Sequence, residues 1–287
     1  MPTSILAACE SFQLASRGTG RSYLISLARP AARPGGERPK DCPILFVLDS
    51  GITFGTAVES TAMRAPTGLI EPVVIVGVGY DADLASVMRL RTADLTPPAP
   101  ADKYPEMAGA MGSEYGGADA FLDFLLGELV PAIRERAPEA SPDRRILYGH
   151  SLGGLFAAHA LLTRPDTFET FAISSPSLWW NDFAILGKLS GFADTLKTRR
   201  AHPRALVSVA AGEQDPPPVA QPGMTLEATR ERVAQARMVD AAREFGEALK
   251  AFALAKLAFV CFQDEDHASV VQASVARAVT FALARQP

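Results

Sequence analysis

Tyr148-Gly149-His150-Ser151-Leu152-Gly153-Gly154 is the stretch on which the reading of this chain turns. It contains Gly-x-Ser-x-Gly, a pattern that roughly one random chain in ten of this length would carry by chance. Its surroundings discriminate. Arg145-Ile146-Leu147-Tyr148 before it reads as a short strand, and Leu155 to Leu162 after it reads as a helix. A serine between a strand and a helix sits in a sharp, strained turn that lifts its hydroxyl above the sheet edge. Side chains at Gly149 and Gly153 are expected to crowd that turn. The amide of Leu152, at the start of the helix, is placed to stabilise a developing oxyanion. The bland reading is a tight turn with an incidental serine.

Working outward, short apolar runs alternate with helical patterns. Ile44 to Leu48 and Val73 to Val78 are apolar on both faces, as in central strands of a parallel sheet. Ser11 to Leu14 and Tyr23 to Leu27 read as a hairpin, Phe171 to Ser175, Ala205 to Ala210 and Lys256 to Phe262 as further strands. Ala118 to Arg136 reads as a helix that Pro131 interrupts. Leu226 to Phe252 reads as one long helix, and Ser269 to Ala284 as the closing helix. Residues 81–117 read as an irregular Pro/Gly-rich loop on the side of the site, and 178–200 as a short helical insertion. The expectation is α/β, a mostly parallel central sheet covered by helices, in one domain over 1–287.

A serine hydroxyl needs a base, and histidine is the usual one. The chain has 4 histidines. His150 adjoins Ser151, where neighbouring side chains are expected to point apart. His159 falls in the helix after the turn, and His202 in a basic linker. His267 follows the last strand, at the carboxyl edge of the sheet where sites in open α/β folds lie, and is the expected base. The acid that orients it should end a strand between the two. Gly212-Glu213-Gln214-Asp215 fits, with Asp215 the first choice, Glu213 the competitor, and a Ser–His dyad the third reading. The second oxyanion amide is expected from Asp49-Ser50-Gly51-Ile52, at Gly51, with Ile52 the alternative.

Composition narrows the classes. Of 287 residues, 48% are hydrophobic and 21% charged, which supports a full core and not disorder. A formal net charge of −4 without a large basic cluster argues against nucleic acid. The 3 cysteines are odd in number and widely spaced, so neither a disulfide framework nor a metal site is indicated. No apolar run approaches the ~18 residues of a membrane-spanning helix. Leu6-Ala7-Ala8-Cys9 looks like a lipoprotein processing site, but Met1 to Ile5 carry no basic residue, so it is read as coincidence. The expectation is a cytoplasmic protein with a small-molecule ester as partner.

Four segments carry a resemblance. They are Pro43-Ile44-Leu45-Phe46-Val47-Leu48-Asp49-Ser50-Gly51, Gly116-Gly117-Ala118-Asp119-Ala120-Phe121-Leu122-Asp123-Phe124, Gly149-His150-Ser151-Leu152-Gly153-Gly154-Leu155-Phe156 and Ser174-Ser175-Pro176-Ser177-Leu178-Trp179-Trp180. Together the chain resembles the "putative esterase" family of α/β-hydrolases, in particular its siderophore-esterase branch, which acts on enterochelin-type trilactones. The resemblance implies one α/β-hydrolase domain, a serine mechanism without cofactor, Ser151 as nucleophile and His267 as base. The family usually has Leu-Asp-Gly where this chain has Leu48-Asp49-Ser50-Gly51, which shifts the oxyanion loop by one residue. Because ferric catecholates are anionic, Arg89 and Arg91 are expected near an acyl group, against a plain ion pair with Asp94. Trp179 and Trp180 are expected to wall an aromatic pocket, against core packing. The function expected is a serine ester hydrolase. The rivals are an acyltransferase using the same residues and a non-catalytic binding protein on this scaffold.

Overall fold

Alternation along the central strands explains how the molecule divides into layers. On strand β3 (Cys42–Leu48) every residue is buried. Ile44, Phe46 and Leu48 join the apolar cluster on one face of the sheet, and Leu45 and Val47 the cluster on the other. A strand buried on both faces requires helices on both. The computed structural model describes residues 5–31, 37–101, 103–104, 112–221 and 223–285, and supplies them.

Eight strands form one sheet in the order β1-β2-β4-β3-β5-β6-β7-β8. β1 (Glu10–Ala15) and β2 (Ser22–Ala28) form the expected hairpin, and β2 also runs antiparallel to β4 (Val74–Gly79). β3 pairs in parallel with β4 and β5 (Ala140–His150), and β6 (Thr170–Ser174), β7 (Arg204–Ala210) and β8 (Lys256–Phe262) continue in parallel. In register, His150 lies opposite Ser174 and Ser174 opposite Ser208. The loops leaving β3, β5, β6, β7 and β8 therefore all open at one edge.

Helices α1 (Ser50–Ala62) and α10 (Val270–Leu283) cover one face. The other face is covered by α3 (Ala118–Phe124), α4 (Val130–Arg136), α5 (Leu152–Thr163), α6 (Trp180–Gly187), α7 (Phe192–Arg199) and α9 (Met238–Leu249). A π-turn, Leu125–Leu129, joins α3 to α4, with Pro131 in the first turn of α4. A proline has no amide to donate, and the widened turn absorbs that loss. Among the described residues no helix is long and apolar enough to cross a membrane.

The structure corrects two boundaries. Residues 81–117 are not one irregular loop: α2 (Leu84–Leu95) occupies a third of them, capped by the Asp83 side chain on the Ser86 amide. Its buried residues, Thr92 to Leu95, are consecutive, so no helical period is visible in sequence. Residues 102 and 105–111 of this stretch lie outside the described residues. The expected long helix over 226–252 is two, α8 (Leu226–Ala236) and α9, divided at Arg237, whose φ of 45° ends the first helix in a left-handed turn. An arginine gives no sequence sign of such a turn.

α2 is held by its buried carboxylate. Asp94 accepts hydrogen bonds from the hydroxyls of Tyr23 (2.9 Å) and Tyr80 (3.0 Å) and from Arg21 (3.1 Å). Tyr23 stacks on Phe124 with ring centroids 4.3 Å apart. Asp94→Ala removes the acceptor that Tyr23, Tyr80 and Arg21 share and is expected to lower folding stability by about 3–5 kcal/mol, measured by urea unfolding.

Candidate active site

The serine turn is strained in the way the motif requires. Ser151 caps α5 with φ 59° and ψ −118°, a region that non-glycine residues avoid. Its amide donates to the carbonyl of Ser174 at 3.0 Å, and its carbonyl accepts from Leu155 (2.9 Å) and Ser177 (3.1 Å). The turn is thus fixed from both sides. The glycines divide differently from the sequence reading. A Cβ on Gly149 would lie 2.0 Å from the Gly153 carbonyl oxygen, and one on Gly154 would lie 2.5 Å from that of Ser174. A Cβ on Gly153 would meet nothing closer than Asp49 Oδ2 at 3.6 Å. Gly149 and Gly154 are the sterically obligatory pair, and Gly153 is not.

His267 stands beside this turn. Its ring packs on that of His150 with centroids 4.6 Å apart, and its Nδ1 lies 3.3 Å from Glu213 Oε1. The residue before the serine thus lies against the imidazole. Among the described residues no direct hydrogen bond joins Ser151 to His267. The Ser151 hydroxyl instead lies 3.3 Å from that of Ser177. Catalytic hydrogen bonds often close only when substrate binds.

The acid beside the imidazole is Glu213, and Asp215, the first choice from sequence, is corrected. A 3-10 turn, Ala211–Gln214, follows β7. Its Gly212 amide donates to the Glu265 carbonyl at 2.9 Å, and a Cβ there would lie 2.8 Å from that oxygen. This close approach of the β7 and β8 loops carries Glu213 inward. Its side chain is 2% exposed and that of His267 is 47% exposed. Asp215 leaves the turn extended and exposed. Both Glu213 oxygens are buried without a hydrogen bond, so the 3.3 Å approach of His267 is an ion-pair distance rather than a well-aligned hydrogen bond. A buried carboxylate with no other hydrogen-bond partner is costly, and His267 is the group placed to meet it.

The expected oxyanion loop opens α1. Asp49 adopts φ 56° and ψ 52° before the helix, and the Ile52 amide donates back to the Asp49 carbonyl at 3.0 Å. Gly51 and Leu152 both fall in first helical turns, where amides lack a partner within the helix. Arg91 fixes this turn and is corrected as a substrate residue. Its Nε and Nη2 hold the Asp49 carboxylate at 2.9 and 2.8 Å, and both side chains are largely buried. Such a two-pronged pair is geometrically demanding. The ion pair weighed from sequence used Asp94, which is occupied by Arg21. Arg89 is exposed and donates to Ser86 Oγ at 2.7 Å. Trp180 is also corrected: it is 2% exposed, its N–H donates to the Pro97 carbonyl at 3.0 Å, and its ring packs against Tyr104 at 4.4 Å. Trp179 beside it is half-buried.

The other histidines are accounted for. His159 is buried against Asp119 at 2.8 Å, and His202 is exposed. A groove of about 380 Å³ bordered by Arg21, Glu114 and Tyr115 contains none of Ser151, His267 and Glu213. Sequence reasoning missed Ser177, the contact of His150 with His267, and the Asp49–Arg91 pair. Ser177 lay in a quoted motif. The other two depend on contacts between distant segments.

The family model described as "Putative esterase" matches residues 16–248. The chain belongs to that family. The siderophore triacetylfusarinine C esterase of Aspergillus fumigatus is 36% identical over 289 residues, covering 97% of this chain and 94% of the relative. The ferri-bacillibactin esterase BesA of Bacillus subtilis is 36% identical over 278 residues, 94% of this chain and 88% of the relative. Among solved structures, the siderophore hydrolase EstA of Aspergillus nidulans superposes with a TM-score of 0.82 at 31% identity, over 96% of this chain and 93% of that one. This esterase thus has the α/β-hydrolase fold of its relatives and is a carboxylic ester hydrolase acting on a small molecule.

Two outcomes test the site's construction. Gly149→Ala is expected to abolish reaction with p-nitrophenyl esters because the 2.0 Å overlap with backbone must displace the serine, whereas Gly153→Ala retains a folded, reactive enzyme. The second concerns pH. Burial first, then the nearby His267, lowers the His150 pKa from 6.5 to about 3. The unfolded chain protonates this group near 6.5 while the folded protein does not, so its contribution makes stability fall as pH drops from 6.5 toward about 3. Urea midpoints at pH 7.5 and pH 5 should show a smaller acid loss in His150→Phe than in the parent.

Proposed function

We propose that this esterase hydrolyses siderophore esters through an acyl-enzyme on Ser151. The observation that carries the reading is the joining of three strand ends: a strained serine after β5, an acid after β7, and an imidazole after β8 that faces the acid through Nδ1. With Nδ1 turned to Glu213, Nε2 is the free nitrogen and the base. It takes the Ser151 proton as the hydroxyl oxygen bonds to the ester carbonyl carbon. The carbonyl oxygen gains the charge and is held by the Leu152 and Gly51 amides. The Ile52 amide is engaged by Asp49, which favours Gly51. The intermediate collapses, the C–O bond to the alcohol breaks, and His267 returns the proton to that alcohol. Water then attacks the acyl-serine with the same base, and the acid leaves. Glu213 orients the imidazole and balances its charge.

The siderophore substrate rests on the relatives. Three of them, at 36%, 36% and 32% identity, are named for triacetylfusarinine C, ferri-bacillibactin and enterobactin. Trp179, half-buried at the edge, and Arg89, exposed on α2, are the aromatic and cationic groups proposed to meet such an anionic ligand. Arg91 and Trp180 are spoken for by the fold.

Glu213→Gln is expected to lower kcat for a siderophore trilactone by on the order of 10³–10⁴-fold, while Asp215→Asn leaves it little changed. The reverse ranking would return the acid to Asp215. Equal turnover of the trilactone and of short p-nitrophenyl esters would remove the siderophore substrate and leave the mechanism standing.

A further inference from the structure

His150 is buried, with 5% of its surface exposed, at the last position of β5. An imidazole in that place is expensive to bury unless its polar atoms are used. Its Nδ1 lies 3.2 Å from the Ser174 hydroxyl at the end of β6, and the ring makes a polar contact with the backbone of His267. Its ring lies against the His267 ring, centroid to centroid 4.6 Å, with the planes tilted by 43°. The other side of His267 is open, since nearly half of its side chain is exposed. An exposed imidazole on the β8 loop thus has two lateral restraints: Glu213 at Nδ1 and the ring of His150.

We propose that His150 is a positioning residue: it is the fixed platform that holds the His267 imidazole in line with the neighbouring serine. This rests on the reading of His267 as the base. The platform is itself anchored to Ser174, whose carbonyl holds the Ser151 amide at 3.0 Å. One residue of β6 therefore fixes the nucleophile and the seat of its base. The charged groups facing His150 are Asp49 and Arg91, which neutralise each other, and His267, backed by Glu213. A platform that remains neutral does not repel His267 when it becomes a cation in the transition state. An aromatic face beside a cation is also mildly attractive.

A double-mutant cycle on p-nitrophenyl acetate hydrolysis tests this. His150→Ala removes the platform and is expected to lower kcat about 10²-fold, as misplacement by an ångström does, with KM little changed. His150→Phe restores a ring face and most of kcat, whereas His150→Gln, polar but without a ring, does not. In a His267→Ala background, adding His150→Ala changes the residual rate by less than about twofold, because the platform has nothing left to hold. Equal losses for His150→Ala in both backgrounds would overturn the proposal, as would a folded His150→Ala chain with the parent kcat. If the alanine chain does not fold, the order of Phe and Gln decides: Gln equal to or better than Phe sinks it. His267→Ala with undiminished kcat would be a different failure, that of His267 as base.

Discussion

The backbone of Ser151 is the constraint on which the site depends. Its positive φ is unfavourable by on the order of 1–3 kcal/mol, and it persists because neighbouring strands over-determine it. The Ser174 carbonyl holds its amide, the Ser177 amide holds its carbonyl, and Gly149 and Gly154 let backbone approach where any side chain would collide. The register of β5, β6 and β7 aligns His150, Ser174 and Ser208 at one edge. The strain is therefore supported by the sheet, and the sheet by a core filled on both faces.

From that turn the remaining groups are placed by successive closures between distant segments. Tyr23, Tyr80 and Arg21 fix Asp94 and with it α2; α2 brings Arg91 to Asp49; Asp49 caps α1 and accepts the Ile52 amide in its first turn. On the other side, Gly212 brings the β7 loop against the β8 loop, and Glu213 meets His267. In the proposed mechanism the buried charges of this molecule serve to aim backbone amides and one imidazole, a use in which geometry matters more than net stabilisation.

Much of the fold was legible in sequence because its signals are local. Ile44 to Leu48 and Val73 to Val78 announce strands buried on both faces, and Gly149 to Gly154 announce the turn between β5 and α5. α2 escaped notice because its buried residues are clustered at one end. Arg237 escaped because a left-handed arginine leaves no mark in the residue pattern. In the site, Ser151 and His267 could be nominated from spacing and chain order. The choice of Glu213 over Asp215 could not, since it turns on a 3-10 turn whose direction is set by contact with Glu265, 53 residues after Gly212. The destinations of Arg91 and Trp180 likewise depend on Asp49 and Pro97, and no local pattern joins them.

In the proposed mechanism His267 makes the Ser151 oxygen nucleophilic. Peptide mass spectrometry after brief treatment with a fluorophosphonate tests it most directly. One adduct is expected, on the peptide containing Ser151, lost in Ser151→Ala and formed far more slowly in His267→Ala. Labelling of Ser151 at the parent rate without His267, or an adduct on another serine, would contradict it.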